Sequence, residues 1–250
     1  MKKRLKKWVL RLTATILLIA GLLLLIVLNP ILSYANKTVH GHFRIYHQQT
    51  LDTSLLNRLD EARLLLQASE FYDSSLALDI CLNDGSRYPT LLRTLRGPAF
   101  AWGFYNKVVL QGQANSGKNF VELNGWRWNL EQLLAHEMVH CLQYARLGFW
   151  KSNPVADIPN WKWEGYAEYI ARRLREQQDL AQNIARLQLT AADAWAISFS
   201  DSTIAPRDYY EGWTLVQYCL DVKKLNYSQL LEDTTGEASV REEMMRWYGR

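Results

Sequence analysis

The stretch 134–141 contains the residues best suited to chemistry, with His136 and His140 four positions apart and Glu137 directly after the first histidine. On an α-helix, residues i and i+4 lie on one face, one turn apart. Two imidazoles at that spacing can bind one Zn²⁺ at about 2.0–2.1 Å each. A glutamate beside such an ion can accept a proton from a bound water, which predicts Glu137 as a general base.

The residues around this stretch indicate a helix. Asn129 is a candidate N-cap, with Gln132 three positions later as in a variant capping box, and Gly148 can end the helix. Apolar residues recur at helical spacing in between: Leu130, Leu133, Leu134, Met138, Leu142 and Leu147. The alternative is a core helix whose two histidines are simply hydrogen-bonded, and a third ligand would decide between the two interpretations.

A catalytic zinc site has three protein ligands and one open position. The candidate third ligand is Glu164, separated from His140 by 23 residues. The segment 148–159 between them contains one glycine and two prolines, which favours a chain reversal. Gly165 would let a second helix approach the first closely. Glu168, four residues after Glu164, either orients a ligand histidine or is an ordinary solvated carboxylate.

The motif His136-Glu137-x-x-His140, followed by Trp-Glu-Gly-x-Ala-Glu-Tyr at 163–169, resembles the gluzincin zinc metallopeptidases, a group also called peptidase MA-like. The resemblance extends over roughly residues 39–235 and implies that Glu164, not Glu168, is the third zinc ligand. It also implies that an edge strand beside the cleft pairs with an extended peptide, with residues 108–123 as the expected edge. The substrate anchors of the aminopeptidase branch have no match here, so exopeptidase activity is not carried over.

The stretch 209–218 resembles the helix that follows the zinc ligands in peptidase MA-like proteins. A phenol directed at the metal can donate a hydrogen bond to the oxyanion of a tetrahedral intermediate. We therefore predict Tyr210 as a catalytic residue, with Tyr209 as the next candidate; the alternative is an aromatic packed on an amphipathic helix. Four tryptophans near the motifs either line the cleft or fill the core beneath it: Trp126, Trp128, Trp161 and Trp163.

The N-terminal segment differs in composition from the rest of the chain. Residues 1–11 contain six Lys or Arg and no acid, and the apolar run that follows reaches Leu28. With Arg11 snorkelling, this run is adequate for a membrane span. We predict an uncleaved single-pass signal anchor in the cell membrane, with the basic head cytoplasmic and the remainder extracytoplasmic, which means periplasmic in a Gram-negative cell. Cleavage after Ser33-Tyr34-Ala35 would instead secrete the domain.

Charge and cysteine usage exclude other classes. Beyond residue 11 the chain carries 23 basic and 25 acidic side chains, so its basic pI comes from the leader and no nucleic-acid partner is expected. The three cysteines, Cys81, Cys141 and Cys219, do not form a disulfide framework by their number and spacing. Either one disulfide bridge or three buried free thiols is compatible with the sequence.

The predicted organisation is a membrane anchor over residues 1–30, a linker over 31–38 and one catalytic domain over 39–250. Alternating and helical hydrophobic patterns predict strands at 43–47, 76–82, 108–110 and 120–123, and helices at 53–67, 88–96, 164–177, 182–197, 207–223, 228–232 and 237–247. These elements predict an α+β fold, with a small mixed sheet packed on the metal-binding helix and a mainly helical C-terminal part. The resemblance implies a zincin-like domain.

The sequence thus predicts a zinc-dependent metallopeptidase that is anchored in the lipid bilayer, faces outward and hydrolyses a peptide or protein substrate. His136, His140 and Glu164 would bind Zn²⁺, and Glu137 would act on the attacking water. One alternative is a non-catalytic, zinc-containing binding or assembly module of the cell envelope, although binding alone does not need a base at position 137. Another is a membrane scaffold protein that places its tryptophans at the bilayer surface and binds no metal.

Overall fold

The computed structural model describes residues 2–173 and 177–249, with side chains from residue 6 onward. Residues 174–176, within the predicted helix 164–177, lie outside the described part, as do Met1 and Arg250. The α-helices are α1 Lys2–Leu28, α2 Ser54–Leu66, α3 Tyr88–Arg96, α4 Leu130–Leu147, α5 Asn160–Ala171, α6 Leu180–Leu189, α7 Arg207–Gln217, α8 Tyr227–Glu232 and α9 Glu237–Tyr248. The strands are β1 Asn36–His40, β2 Phe43–His47, β3 Leu78–Cys81, β4 Ala101–Phe104, β5 Lys107–Leu110, β6 Gln113–Asn115, β7 Phe120–Leu123, β8 Trp126–Asn129, β9 Ala196–Ser198 and β10 Ile204–Pro206.

Helix α1 is the apolar leader. Its segment Lys6–Leu28 has a mean hydropathy of 2.5 and is long enough to cross a membrane, and none of it is buried in the protein. A transmembrane anchor and a signal sequence both have this length and composition. The predicted N-terminal apolar helix is therefore confirmed. Its length and composition are compatible both with a retained membrane anchor and with a cleaved signal sequence.

A five-stranded mixed sheet forms the centre of the α+β fold, in the order β1-β2-β3-β5-β4. The three central strands run parallel, and β1 and β4 pair antiparallel with their neighbours at the two edges. Apolar side chains of one face pack with α2 and α4, as Ile45, Ile80 and Val108 do. The other face packs on α3, through residues such as Trp102 and Leu92. The sheet thus covers one side of α4, the helix that carries His136 and His140.

The edge strand next to α4 is β4, and not a strand from residues 108–123 as expected. Strand β5 lies inside the sheet, between β3 and β4, and β6 and β7 belong to a separate three-stranded sheet that is completed by β8. The edge was predicted in the wrong segment because β4 is short and has a glycine at its third position. It therefore lacks the alternation of apolar and polar residues that marks a half-buried strand.

Helices from the C-terminal half cover α4 on the side away from the sheet. Helix α5 packs on α4 and against α7, and at the α5–α7 crossing a Cβ on Gly165 would overlap the backbone of Gly212. The glycine therefore brings α5 close to α7 rather than to α4. The predicted helix 182–197 is shorter than expected, because α6 ends at Leu189 and residues 196–198 pair with β10 as strand β9.

The predicted linker 31–38 packs against the domain. Pro30–Ser33 form a 3₁₀ turn, Tyr34 is buried, and residues 36–38 already belong to β1. The hydroxyl of Tyr34 donates a hydrogen bond to the carbonyl of Leu82 at 2.8 Å. The three cysteines are free and buried, which selects the buried-thiol alternative.

Candidate metal centre

Helix α4 holds the histidine pair in the protein interior. The side chain of Asn129 accepts a hydrogen bond from the backbone N–H of Gln132, and the helix ends at Gly148, whose φ is +78°. Both ends agree with the sequence prediction. His136, Glu137 and His140 are all buried, so the helix is fixed between the sheet and α5 with its polar residues facing the cleft described below.

His136, His140 and Glu164 form a group that can hold a metal ion. The Nε2 atoms of the two histidines are 3.2 Å apart, and Oε2 of Glu164 lies 3.1 Å from Nε2 of His136 and 3.2 Å from Nε2 of His140. The three donor atoms therefore form a nearly equilateral triangle. Two unprotonated imidazole nitrogens that face each other at this distance repel each other unless a cation or proton lies between them.

A hydrogen bond on the far ring nitrogen sets the tautomer of His140. Its Nδ1 lies 2.7 Å from Oε1 of Gln143, an acceptor, so Nδ1 donates and Nε2 is left free for a metal. Gln143 is in turn fixed by Tyr227, whose hydroxyl is 2.7 Å from its amide nitrogen. An orienting partner of this kind is typical of metal-binding histidines.

Glu168 takes the corresponding place behind His136. Its Oε1 lies 3.2 Å from Nδ1 of His136 without the angle of a hydrogen bond, and its Oε2 accepts a hydrogen bond from Nε of Arg172. The carboxylate is fully buried, so it is not the solvated residue of the sequence alternative. Arg172 also donates to Gln132 of α4 at 2.8 Å, which ties α5 to the helix that carries the histidines.

Opposite charges dominate the titration of this cluster. Burial by itself would lower the pKa of His136, but the carboxylates of Glu164 and Glu168 outweigh it and raise that pKa to about 10. Burial likewise opposes ionisation of Glu164, yet the two imidazoles hold its pKa well below the usual value. Burial also opposes ionisation of Glu168, and the guanidinium of Arg172 followed by His136 keeps its pKa below the usual value. The cluster thus favours charged carboxylates around one cationic centre.

Glu137 lies on the open side of the cluster, in a cleft of about 530 Å³. Burial raises the pKa of its carboxyl group, and the imidazoles of His136 and His140 offset only part of the rise. The cleft runs along β4, whose Gly103 packs so closely on α4 that a Cβ there would overlap the carbonyl oxygen of Glu137. A residue larger than glycine would push the edge strand away from the candidate base.

The structure brings Tyr209, and not Tyr210, to the cluster. The ring of Tyr209 stacks on His136, with centroids 5.5 Å apart and an interplanar angle of 10°, and it lines the cleft. The negative charge of Glu164, followed by burial, raises the pKa of Tyr209 well above its usual value, so its hydroxyl keeps the proton and remains a donor. Tyr210 is fully buried elsewhere, where its hydroxyl donates a hydrogen bond to the carbonyl of Asn183 and accepts one from the guanidinium of Arg186. On helix α7 adjacent residues point about 100° apart, so only one of them can face the metal group.

The tryptophans near the motifs are divided between cleft and core. Trp163 stacks on His140 with centroids 5.5 Å apart and also lines the cleft. Trp128 and Trp161 both belong to the main core, and the ring centroid of Trp128 lies 5.8 Å from that of His136. Trp126 is 42% exposed at a neighbouring cavity.

Gln143 and Arg172 are functional residues that the sequence motifs do not include. Each carries a detectable signal, because Gln143 follows His140 by three residues and Arg172 follows Glu168 by four, the spacings that place side chains on one helix face. The predicted ligands His136, His140 and Glu164 are brought together, and Glu137 lies beside them, whereas Tyr210 is not part of the group.

No protein-family model matches the chain, and no curated protein matches it either. The fold and the site therefore define the protein at a general level. It is an α+β protein with an apolar N-terminal helix and a His136/His140/Glu164 group that can hold a metal ion.

Proposed function

We propose that the protein is a zinc metallopeptidase with a zincin-like arrangement of α4, α5 and the edge strand β4. The observation that carries the proposal is the triangle of donor atoms, with sides of 3.1–3.2 Å. A tetrahedral ion with bonds of about 2.0–2.1 Å separates its ligand atoms by about 3.3–3.4 Å, which is close to these sides. Two imidazoles and one carboxylate are a donor set of zinc enzymes, whereas Mg²⁺ and Ca²⁺ prefer oxygen ligands.

Zinc in this site would supply Lewis-acid chemistry, lowering the pKa of a water towards about 7 and polarising a peptide carbonyl. Glu137 would accept the proton of the attacking water and deliver it to the leaving nitrogen. Its raised pKa suits a group that must both take and return a proton near neutral pH. Tyr209 would donate a hydrogen bond to the oxyanion from its position beside His136.

The edge strand β4 offers a way to hold an extended peptide. Gln111 donates its backbone N–H to the carbonyl of Phe100 on the β5 side, and the alternation of an antiparallel ladder then turns the N–H and C=O groups of Ala101 and Gly103 away from β5. Both residues line the cleft that contains Glu137. We infer that a substrate peptide adds as a further strand here, with its backbone beside the candidate base.

We further propose that α1 anchors the catalytic domain on the outer face of a cell membrane. The basic residues of the first eleven positions favour a cytoplasmic location of the N-terminus, and the whole of 39–250 would then be extracytoplasmic. Retention of the chain in membrane pellets after alkaline carbonate extraction supports the membrane anchor, and release into the soluble fraction contradicts it.

The test of the enzymatic function uses the full chain in detergent, an unfolded protein such as casein, and a matched Glu137→Gln variant. The wild-type chain is expected to contain about one zinc per molecule and to hydrolyse casein, and a chelator should abolish this activity. The variant keeps the three ligands and should keep zinc, while hydrolysis falls by about 10²–10⁴-fold through loss of the base.

Two outcomes would overturn the proposal in different ways. Stoichiometric zinc with no hydrolysis in the wild-type chain would favour the non-catalytic binding or assembly module. Full activity of the Glu137→Gln variant would reject the mechanism, even if zinc were present.

A further inference from the structure

A second cavity, of about 410 Å³, adjoins the metal cleft. The two cavities share five residues along β4 and at the metal group: Pro98, Ala99, Ala101, Glu137 and Tyr209. They are therefore parts of one groove, and Glu137 and Tyr209 lie at the junction. A peptide that runs along β4 past Glu137 would place a side chain at the mouth of this second cavity.

Aromatic side chains form the walls of the second cavity. Trp126 of β8 and Trp195, which precedes β9, meet edge to face with ring centroids 4.8 Å apart. The two residues come from distant parts of the sequence, and they are 42% and 45% exposed. Deeper in the cavity, Trp128 and Phe100 form another edge-to-face pair with centroids 5.4 Å apart. Large aromatic side chains left partly exposed in a concave site are typical of positions that bind an apolar group.

The charged side chains among the described residues that line this cavity are all acidic. Its described lining residues include the carboxylates of Glu137 and Asp208 and no Lys, Arg or His. An acidic side chain entering the cavity would be repelled by both carboxylates and would leave water without a partner. An aromatic or large aliphatic side chain would instead replace water against the tryptophan rings.

We propose that this cavity, which we call the tryptophan pocket, binds a bulky apolar side chain of the substrate next to the bond that is cleaved. The inference rests on the proposed peptidase function and adds a substrate class to it: extended peptides with an aromatic or large aliphatic residue beside the scissile bond. Trp126 and Trp195 determine this specificity. Glu137 lines both cavities, so the pocket lies next to the carbonyl on which the proposed base acts.

The test compares blocked, fluorescence-quenched peptides that differ at one position, with Phe, Leu, Ala or Asp on either side of the scissile bond in turn. For the wild-type full chain, kcat/KM for the Phe peptide should exceed that for the Ala peptide by about 10- to 100-fold on one side, and the Asp peptide should be the poorest. In Trp126→Ala and Trp195→Ala the ratio of Phe to Ala should fall to about threefold or less.

Trp150→Ala is the matched control, because Trp150 is 78% exposed and does not line the groove. Its two kcat/KM values should equal those of the wild type. The two pocket variants alter different segments of the chain, and thermal unfolding of each reports whether it is folded. An unchanged Phe-to-Ala ratio in a folded pocket variant, or the same fall in the control, would overturn the inference.

Binding to the Glu137→Gln variant separates this inference from the proposed function. Calorimetry with the same Phe and Ala peptides measures the pocket without any hydrolysis. Tighter binding of the Phe peptide, lost in the double variant with Trp126→Ala, supports the pocket even if the wild-type chain hydrolyses nothing. Hydrolysis by the wild type with no preference in either assay rejects the pocket and leaves the peptidase standing.

Discussion

His136 makes metal binding a competition with protons. In the metal-free protein the carboxylates of Glu164 and Glu168 raise its pKa to about 10, so near neutral pH its ring is protonated. The proton adjoining Glu164 lies on Nε2, the atom that a metal needs, and it must leave when the metal binds. The same group stabilises the metal-free fold fully below its ordinary pKa of 6.5, and that contribution disappears as the pH rises towards about 10.

Zinc affinity is therefore expected to rise with pH, by about tenfold per pH unit for the single proton displaced. Competition with a chelator of known zinc affinity at pH 6.5, 7.5 and 8.5 measures the slope. Calorimetry at pH 7.5 in buffers of different ionisation enthalpy should count about one proton released per zinc. An affinity that is flat over this range would show that His136 is neutral in the metal-free protein.

The adjacent tyrosines offer a matched pair for the proposed chemistry. Tyr209→Phe keeps the ring that stacks on His136 and removes the hydroxyl, so kcat should fall by about 100-fold with KM little changed. Tyr210→Phe removes hydrogen bonds to Asn183 and Arg186 in the core and should reduce the free energy of unfolding by about 1 kcal/mol. Steady-state kinetics and urea unfolding of both variants provide the measurement. If the loss in kcat belonged to Tyr210→Phe, the assignment of Tyr209 would fail.

At the scale of the elements, the packing of α5 against α4 and α7 decides whether Glu164, the third candidate ligand, reaches the two histidines. Glu164 and Glu168 are one turn apart on α5 and both face α4, and Arg172 continues that face with its bond to Gln132. On an adjacent face of the same helix, Gly165 lets α5 lie directly against the backbone of α7. Helix α5 is thus held between a polar face towards α4 and a closely packed face towards α7.

Replacing Gly165 with alanine should separate α5 from α7, since the added Cβ would overlap the backbone carbonyl of Gly212. A backbone cannot move aside as a side chain does, and we expect a loss of about 1–3 kcal/mol in the free energy of unfolding together with weaker zinc binding. Gly117→Ala is the control, because its Cβ would meet only Oδ1 of Asn115, at 3.8 Å. Urea unfolding and zinc titration of both variants test this. Equal stability of the two would mean that the helices do not meet as described.

The sequence predicts this site well where the signal is local. The limits of α4 follow from Asn129 and Gly148, and the pairing of His136 with His140 follows from helical spacing, because each depends on residues within one helix. The choice between Tyr209 and Tyr210 depends on the rotation of α7 about its axis, which is set by contacts with α5. The edge position of β4 depends on the order of strands in space, which no short-range pattern encodes. The partner of Gly165 is likewise a tertiary property, since a glycine permits a close approach without specifying from which side.

At the scale of the whole molecule, the leader is connected to the domain without a free linker. Tyr88 donates a hydrogen bond from its hydroxyl to the carbonyl of Val27 at 2.6 Å, and Ser86 bonds the carbonyl of Ser33 at 2.8 Å. Tyr34 is buried between Tyr46 and Tyr88, with ring centroids about 6 Å away. A cleavage after Ala35 would therefore remove a side chain of the domain's own core.

This connection predicts a difference between two shortened chains, one beginning at residue 29 and the other at residue 36. Both lack helix α1 and the contact of Tyr88 with Val27, but only the first keeps the turn of residues 30–33 and the buried ring of Tyr34. Loss of that ring and of its hydrogen bond to Leu82 should lower the free energy of unfolding of the second chain by about 2–4 kcal/mol. Urea unfolding of the two proteins in the same buffer measures the difference. Equal midpoints would show that the domain folds without its N-terminal turn, and a signal peptidase could then release it intact.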